Sequence, residues 1–329
     1  MIRAQSRYDP VELQFLGTSS GTPTKTRNLS ALALRSRSAR NWYLIDCGEA
    51  TQHRILHTSL SLCSLSAIFV THVHGDHCYG IPGLLASAGM LNRTEDLVIA
   101  GPPAVEHFTR CALEATGLQL PYPLGFVHVE GSMQIRWPDF DVQVTPLSHR
   151  VPSFAYSFSE KPAIGKLDMG RLEREGVPRG PAWGQLQRGG DVVLPDGRHL
   201  RGADYLLPPA KPHKIIVGGD NDRPELLLDE ARTAEVLIHE ATYTEDTLNK
   251  IGPGPRHSSA RRVARMAAAA RIGNLVLTHF SPRYQEEDGT PALSEIEAEA
   301  RAVYHGNLFL ARDLDRYVLH RTGNLARSG

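Results

Sequence analysis

Residues 71 to 77 read THVHGDH, and they bring His72, His74, Asp76 and His77 together directly after the apolar run Ala67, Ile68, Phe69, Val70. On an extended segment, side chains at i and i+2 point the same way, so His72 and His74 share a face. Gly75 permits a turn that folds Asp76 and His77 back beside them. Imidazole nitrogen suits Zn²⁺ and also Mn²⁺ or Fe, while a carboxylate serves as either ligand or base. The loop therefore reads as a chelate for two divalent ions, suited to hydrolysis. A surface loop merely rich in histidine has no reason to follow this order.

A dinuclear centre needs more ligands than this loop holds, and in a folded domain they come from other strand ends. Three residues qualify. His149 follows the alternating run Val142 to Leu147, Asp220 follows Ile215, Ile216, Val217 and two glycines, and His279 follows Leu275, Val276, Leu277, Thr278. A single histidine after a strand is commonly a hydrogen-bonded structural residue. Three residues in the same local context point to ligation.

These positions depend on strands that alternate with helices. Short apolar or alternating runs predict strands over 11–16, 29–35, 42–46, 66–71 and 96–100, followed by helical patterns over 79–90 and 103–115. The second half repeats the theme, with strands over 214–218, 235–239 and 274–278 and helices near 224–232, 258–271 and 292–305. The last two helices are rich in alanine, a strong helix former. Such alternation means sheets covered by helices, an α/β fold.

The chain resembles the metallo-β-lactamase superfamily and, within it, the transfer RNA 3′ processing endoribonucleases of the RNase Z family. The superfamily signal is the HxHxDH motif. The finer signal is YLIDCGEATQHRIL (43 to 56), PLSHRVPSFAYSF (146 to 158), VGGD (217 to 220), LIHEATY (237 to 243), RHSS (256 to 259) and LTHFSPRY (277 to 284), with FLGTSSGTPTKTRN (15 to 28) near the N-terminus. The resemblance implies an αββα sandwich of two mixed sheets with the metal site on one edge. It also implies that His72, His74 and His149 bind one metal, that Asp76, His77 and His279 bind the other, and that Asp220 bridges them. Zinc is the expected ion, with manganese or iron as alternatives. Water held by zinc drops in pKa from 15.7 to about 7, and attacks phosphorus at neutral pH.

The same resemblance assigns Asp76 as acceptor of the water proton and pairs Glu240 with His257 near the leaving oxygen. Glu240 orients and charges His257, which donates a proton to the 3′ oxygen. The alternative is that His257 belongs to the cap of the helix beginning at Ser258 or Ser259, both good N-cap residues. Asp46, at the end of the run Trp42 to Ile45, looks like a buried carboxylate that supports the ligand loop. One departure stands out. The family has GDT followed by Arg and Pro, whereas this chain reads Gly219, Asp220, Asn221, Asp222, Arg223, Pro224.

Between Ser159 and about Tyr205 the periodicity fails. The stretch from Lys161 to Gly190 carries six basic and three acidic residues, many glycines and Trp183. It reads as an insertion, and the resemblance makes it a flexible arm whose Gly180 and Pro181 grip the transfer RNA elbow. The organisation expected is one domain over 1–329 with an inserted arm over 160–205. Arg27, Arg150 and Arg283 adjoin motif residues and are candidates for holding phosphates or for structural ion pairs.

The 329 residues, 41% hydrophobic and 22% charged, suffice for one large core. The formal net charge is zero, which argues against a strong nonspecific nucleic-acid binder, DNA included, and for local recognition of a folded RNA. No long apolar stretch marks a membrane span or signal peptide, and the four cysteines lack metal-finger spacing, so a cytoplasmic protein with free thiols is expected. The leading expectation is a metal-dependent endoribonuclease acting on precursor transfer RNA, a homodimer by resemblance. Its rival is a hydrolase of small phosphodiesters, such as cyclic nucleotides, or of arylsulfates.

Overall fold

Strands buried on both faces need apolar side chains at nearly every position. Trp42–Ile45, Leu65–Phe69, Lys214–Gly218, Val236–Glu240 and Asn274–Thr278 have that composition, and all five are interior strands. The structure is a computed structural model that describes residues 10–36, 39–161, 167–207, 212–285 and 291–328.

Two mixed sheets form among these residues. The first has eight strands in the order Leu325–Ser328, Arg316–Leu319, Val11–Gly17, Ala31–Ser36, Trp42–Ile45, Leu65–Phe69, Leu97–Gly101, Leu124–His128. Its pairings are antiparallel up to Trp42–Ile45 and parallel beyond it. The second has seven, in the order Asn307–Leu310, Asn274–Thr278, Val236–Glu240, Lys214–Gly218, Ser153–Glu160, Phe140–Leu147, Met133–Arg136. Its first four strands run parallel, and Lys214–Gly218 then pairs antiparallel with Ser153–Glu160.

Alternation along each strand divides the apolar side chains between two layers. Tyr43, Ile45, Ala67 and Phe69 face Tyr156, Phe158, Ile215, Val217 and Ile238 in the core between the sheets. Trp42, Leu44, Ile68 and Val70 point the other way, onto Ile81, Leu84 and Leu85 of the helix Ile81–Met90. Ile216, Leu237, Leu275 and Leu277 likewise meet Val263, Ala264 and Ala267 of the helix Ala260–Ala270. Helix, sheet, sheet, helix is the αββα sandwich expected from the motifs.

Most expected elements form within a residue or two of their bounds. The helix expected near 224–232 is instead a 3₁₀ turn, Pro224–Leu227, followed by the helix Leu228–Ala231. The interior strand Ser153–Glu160 was not expected either. Unforeseen besides it were the short strands Leu124–His128, Met133–Arg136, Asn307–Leu310, Arg316–Leu319 and Leu325–Ser328. They are four or five residues long, and all but Arg316–Leu319 lie at sheet edges, where half-exposed positions blur the apolar pattern.

By contact density the chain divides into two compact units, Met1–Ser159 with His213–Gly329, and Glu160–Pro212. The second contains the stretch in which periodicity fails. It folds nonetheless, into the helices Met169–Arg174 and Pro181–Gln187 and a hairpin of Val192–Val193 with His199–Leu200. Leu172, Val177, Leu186, Leu194 and Tyr205 belong to its own apolar cluster, against which Trp183 packs. The Trp183 indole donates to the Val177 carbonyl at 3.3 Å, and the Arg179 guanidinium lies over its ring. Trp183 is thus largely committed to this small core. Gly180 and Pro181, at the start of the second helix, are exposed.

Candidate metal centre

Every expected ligand lies just past the C-terminal end of a strand, where an open α/β sheet presents its functional groups. His72 and His74 follow Leu65–Phe69, Asp76 and His77 lie on the short helix Gly75–Cys78, and His149 follows Phe140–Leu147. Asp220 follows Lys214–Gly218 and His279 follows Asn274–Thr278. Close backbone approach requires Gly219. A Cβ there would sit 2.6 Å from the Thr71 Cβ, so any side chain would push Asp220 away from the histidine loop.

The donor atoms fall into two clusters that share one carboxylate. His72 Nε2 is 3.1 Å from His74 Nδ1, which is 3.2 Å from His149 Nε2. Asp220 Oδ2 stands 3.6 Å from His72 Nε2 and 3.7 Å from His149 Nε2. In the second cluster His77 Nε2 is 3.1 Å from His279 Nε2, and Asp76 Oδ2 is 3.6 Å and 3.3 Å from those two nitrogens. Asp220 Oδ1 lies 3.5 Å from His77 Nε2 and 3.4 Å from His279 Nε2. Ligands bound to zinc at about 2.0–2.1 Å in a tetrahedron are separated by about 3.3 Å. The spacing within each cluster is therefore that of a coordination shell, and Asp220 presents one oxygen to each.

The opposite ring nitrogens decide between a chelate and a hydrogen-bonded cluster. His77 Nδ1 donates to Asp46 Oδ2 at 2.8 Å, and His149 Nδ1 donates to the Arg256 carbonyl at 2.8 Å. His72 Nδ1 meets Thr71 Oγ1 at 3.0 Å, and His279 Nδ1 meets Thr242 Oγ1 at 3.1 Å. These partners assign the proton of the neutral ring to Nδ1 and leave Nε2 bare. With both rings neutral, the Nε2 atoms of His77 and His279, 3.1 Å apart, repel unless a proton or a metal cation lies between them. The residues fit divalent metal binding, and their donor set of imidazoles and carboxylates suits zinc, manganese or iron.

Two buried carboxylates outside the clusters hold the ligands in place. Asp46 accepts from the Thr71 backbone N–H at 2.8 Å and the Thr71 hydroxyl at 3.0 Å as well as from His77. Glu240 accepts from the Thr242 hydroxyl at 2.7 Å and backbone N–H at 2.9 Å, and so orients the threonine that receives His279. Asp46, His279 and Arg256 all have positive φ, between 54° and 59°. That is backbone strain concentrated at the site, least costly for the aspartate.

Charge follows the same arrangement. Burial holds His72, His74 and His149 below the usual histidine pKa. Burial also opposes charge on His77, but Asp46, Asp76 and Asp220 outweigh it and push its pKa up to about 10. A divalent cation supplies that positive charge in place of the proton, so metal uptake releases a proton here.

His257 is nine-tenths buried, with its ring 5.2 Å from His149 and 5.5 Å from His279. Its Nδ1 lies 3.6 Å from Asp220 Oδ2 and 3.5 Å from Glu240 Oε1. Burial disfavours its charge, yet Asp220 and then Glu240 raise its pKa to about 9. The cap of the following helix is Ser259, whose hydroxyl accepts from the Arg262 N–H at 3.2 Å, so His257 is free of that task.

Two residues stand where motif adjacency did not suggest. Arg27 is only 3% exposed, its guanidinium donating to the Tyr284 carbonyl and lying over Phe280, so it braces loops instead of facing a substrate phosphate. Asn221, in the place of the family threonine, is fully buried. Its Oδ1 accepts from the Ser148 N–H at 3.2 Å and the Arg223 N–H at 3.1 Å, and its amide faces His239 Nε2 at 3.2 Å. Asn221 thereby ties the Asp220 loop to the His149 loop. Arg283 is exposed, with its guanidinium 5.2 Å from the Tyr243 ring, which in turn abuts His257. The reading of residue types missed the Gly21 N–H, which donates to Asp76 Oδ2 at 2.7 Å, and the Arg256 carbonyl. Thr71 and Thr242 lay inside quoted motifs without a role.

The chain is similar to several known proteins. A family model described as anti-Pycsar protein Apyc1 matches residues 11–115. Ribonuclease Z of Marinobacter nauticus is 51% identical over 94% of this chain and 97% of its own length. Ribonuclease Z of Brevibacillus brevis is 41% identical over 93% of this chain and 96% of its own. Among solved structures, human tRNase Z, short form, superposes with a TM-score of 0.64 at 25% identity, covering 93% of this chain and 98% of that one.

Replacing Asp46 by Asn removes the charged acceptor of His77 while keeping its shape. Metal affinity is expected to fall about 10- to 100-fold, as for other losses of a ligand's supporting carboxylate. Competition with a chromophoric chelator measures it, and an unchanged affinity would show that Asp46 does not orient the ligands.

Proposed function

The chain belongs to the ribonuclease Z family, and on that premise we propose how its residues divide the work of a transfer RNA 3′ processing endoribonuclease. It is a hydrolase with the metallo-β-lactamase fold, and its substrate is precursor transfer RNA. Cleavage of small phosphodiesters or arylsulfates as the main activity is not favoured.

In this reading His72, His74 and His149 hold one divalent ion, Asp76, His77 and His279 hold a second, and Asp220 joins them. Both ions are zinc, with manganese or iron as alternatives. When bound, such a pair neutralises phosphoryl oxygens and lowers the pKa of water toward about 7. The chain's own residues handle the protons. Asp76, fixed by the Gly21 amide, takes the proton of the attacking water. His257 gives a proton to the departing 3′ oxygen, and the observation that carries this is its position between Asp220 and Glu240, which keep it cationic. Glu240 stays ionised because burial, which opposes its charge, is outweighed by His257.

Substrate contact falls to Arg283 at the rim of the site and to Gly180 and Pro181 in the Glu160–Pro212 unit, which we read as the arm that grips the transfer RNA. Exposed Leu56, Met90 and Leu91, on or just after the adjoining helices Thr51–Ile55 and Ile81–Met90, support a homodimer contact. No helix among the described residues is long and apolar enough to cross a membrane. A cytoplasmic enzyme with no DNA substrate completes the reading.

End-labelled precursor transfer RNA should be cut once, just after the discriminator nucleotide, and the cut should disappear with Asp76→Ala. With His257→Ala, single-turnover cleavage should slow by about 10² to 10⁴ while bound metal stays the same. Loss of metal from that variant would make His257 a ligand instead.

Ser159 and Lys214 are paired across adjacent antiparallel strands, so the intervening unit can be replaced by a short hairpin turn. That deletion should abolish precursor cleavage and leave hydrolysis of a small diester largely intact; parallel loss of both would assign the unit a structural role. Light scattering on the intact chain at micromolar concentration should return the mass of a dimer, and a monomer would remove the dimer from the reading.

A further inference from the structure

Beside His257, on the side that shares no other residue with the metal clusters, lies a cavity of about 180 Å³ whose walls include Asp222, Asn249, Pro253 and Arg262. Asp222 is, with Asn221, where this chain departs from the family pattern. Its Oδ1 is buried and has no hydrogen-bond partner among the described residues. Buried acceptors are nearly always satisfied, so an unpartnered one on a residue that lines a cavity is a place to seek a donor.

The other groups at the wall give Asp222 no hydrogen bond, although the Arg262 charge lies near enough to attract it. Arg262 directs its Nε and Nη2 to Glu245, at 3.2 Å and 2.8 Å. The main chain of Asp222 is fixed by its N–H, which donates to the Ser148 carbonyl at 3.0 Å. The terminal torsion of an aspartate is soft, so the carboxylate can turn either oxygen toward the cavity. Its negative charge disfavours a phosphate there and favours a neutral donor, such as a hydroxyl or an amino group.

We propose that this cavity is a subsite for the nucleotide on the 5′ side of the scissile phosphate, and that Asp222 accepts a hydrogen bond from a donor on its sugar or base. The placement follows from chemistry. On that reading His257 faces the departing 3′ oxygen, that oxygen belongs to the ribose of this nucleotide, and the cavity is a space next to His257 lined by no metal ligand. The 2′-hydroxyl is the neighbour of that oxygen, and adenine, cytosine and guanine each carry an exocyclic amino group. This inference rests on the ribonuclease Z reading and adds to it a determinant particular to Asp222.

The test is a panel of precursor transfer RNAs cleaved under single-turnover conditions by the full-length enzyme, Asp222→Asn and Asp222→Ala. One arm compares ribose with 2′-deoxyribose at the nucleotide before the cut. The other compares uracil, which lacks an amino group, with the other three bases at that position. The wild type should be slowed about tenfold in one arm, and Asp222→Ala should shrink that ratio to about twofold or less, since a hydrogen bond to a charged acceptor is of that size. Asp222→Asn, which keeps an oxygen but loses the charge, should give a ratio between the two. The arm that responds identifies the donor as sugar or base. A ratio unchanged in Asp222→Ala overturns the proposal, including the case in which the variant slows every substrate equally, as a structural role would. Absence of a wild-type penalty in both arms also overturns it. Failure of the wild type to cut at this position would instead refute the family reading beneath it.

Discussion

Six imidazole and carboxylate side chains converge on Asp220 at the separation of ligands around a divalent cation. That constraint governs the rest of the architecture. To hold ring nitrogens within 3.2 Å of each other, the chain fixes His72, His77, His149 and His279 from behind with Thr71, Asp46, the Arg256 carbonyl and Thr242, the last oriented by Glu240. All of these supports but Arg256, which lies in the loop before the helix Ala260–Ala270, are in or just after strands whose apolar faces form the two-sheet core. A sandwich buried on both faces of each sheet gives strand ends little freedom, and the ligands inherit that rigidity.

His257 shows how one polar cluster separates two kinds of histidine. His72 and His149 lie as close to Asp220 as His257 does, yet burial keeps them neutral, while His257 also reaches Glu240 and becomes cationic. In the proposed division of work the neutral His72 and His149 would be ligands and the cationic His257 a proton donor, a difference that follows Glu240, whereas His77, charged by three carboxylates, would exchange its proton for the metal.

Much of this was legible from residue types. Parallel strands covered on both faces read as continuous apolar runs, and His149, Asp220 and His279 each end one or follow an alternating run, which is why strand-end context located them. Asp46 and Glu240 were found through motif context. The Gly21 amide and the Arg256 carbonyl were not legible, because a main-chain group leaves no mark in the identity of its residue. Arg27 was misplaced by adjacency, since neighbouring a motif says nothing about which side of a loop faces solvent. The Glu160–Pro212 unit shows no helical or strand period because its apolar residues are brought together by turns, and its small core is assembled from elements of two to seven residues.

The positive φ angles of His279 and Arg256 bear on how this enzyme balances durability against activity. At either position glycine would relax the main chain, and a selection for heat resistance alone would favour it. His279 cannot yield without losing a ring nitrogen from its cluster. Arg256 holds the carbonyl that steers His149, and its guanidinium returns to the His149 carbonyl at 2.9 Å. Descendants of this chain evolving toward higher temperature are therefore confined to changes elsewhere in the sandwich, with these two residues retained as a standing cost in stability.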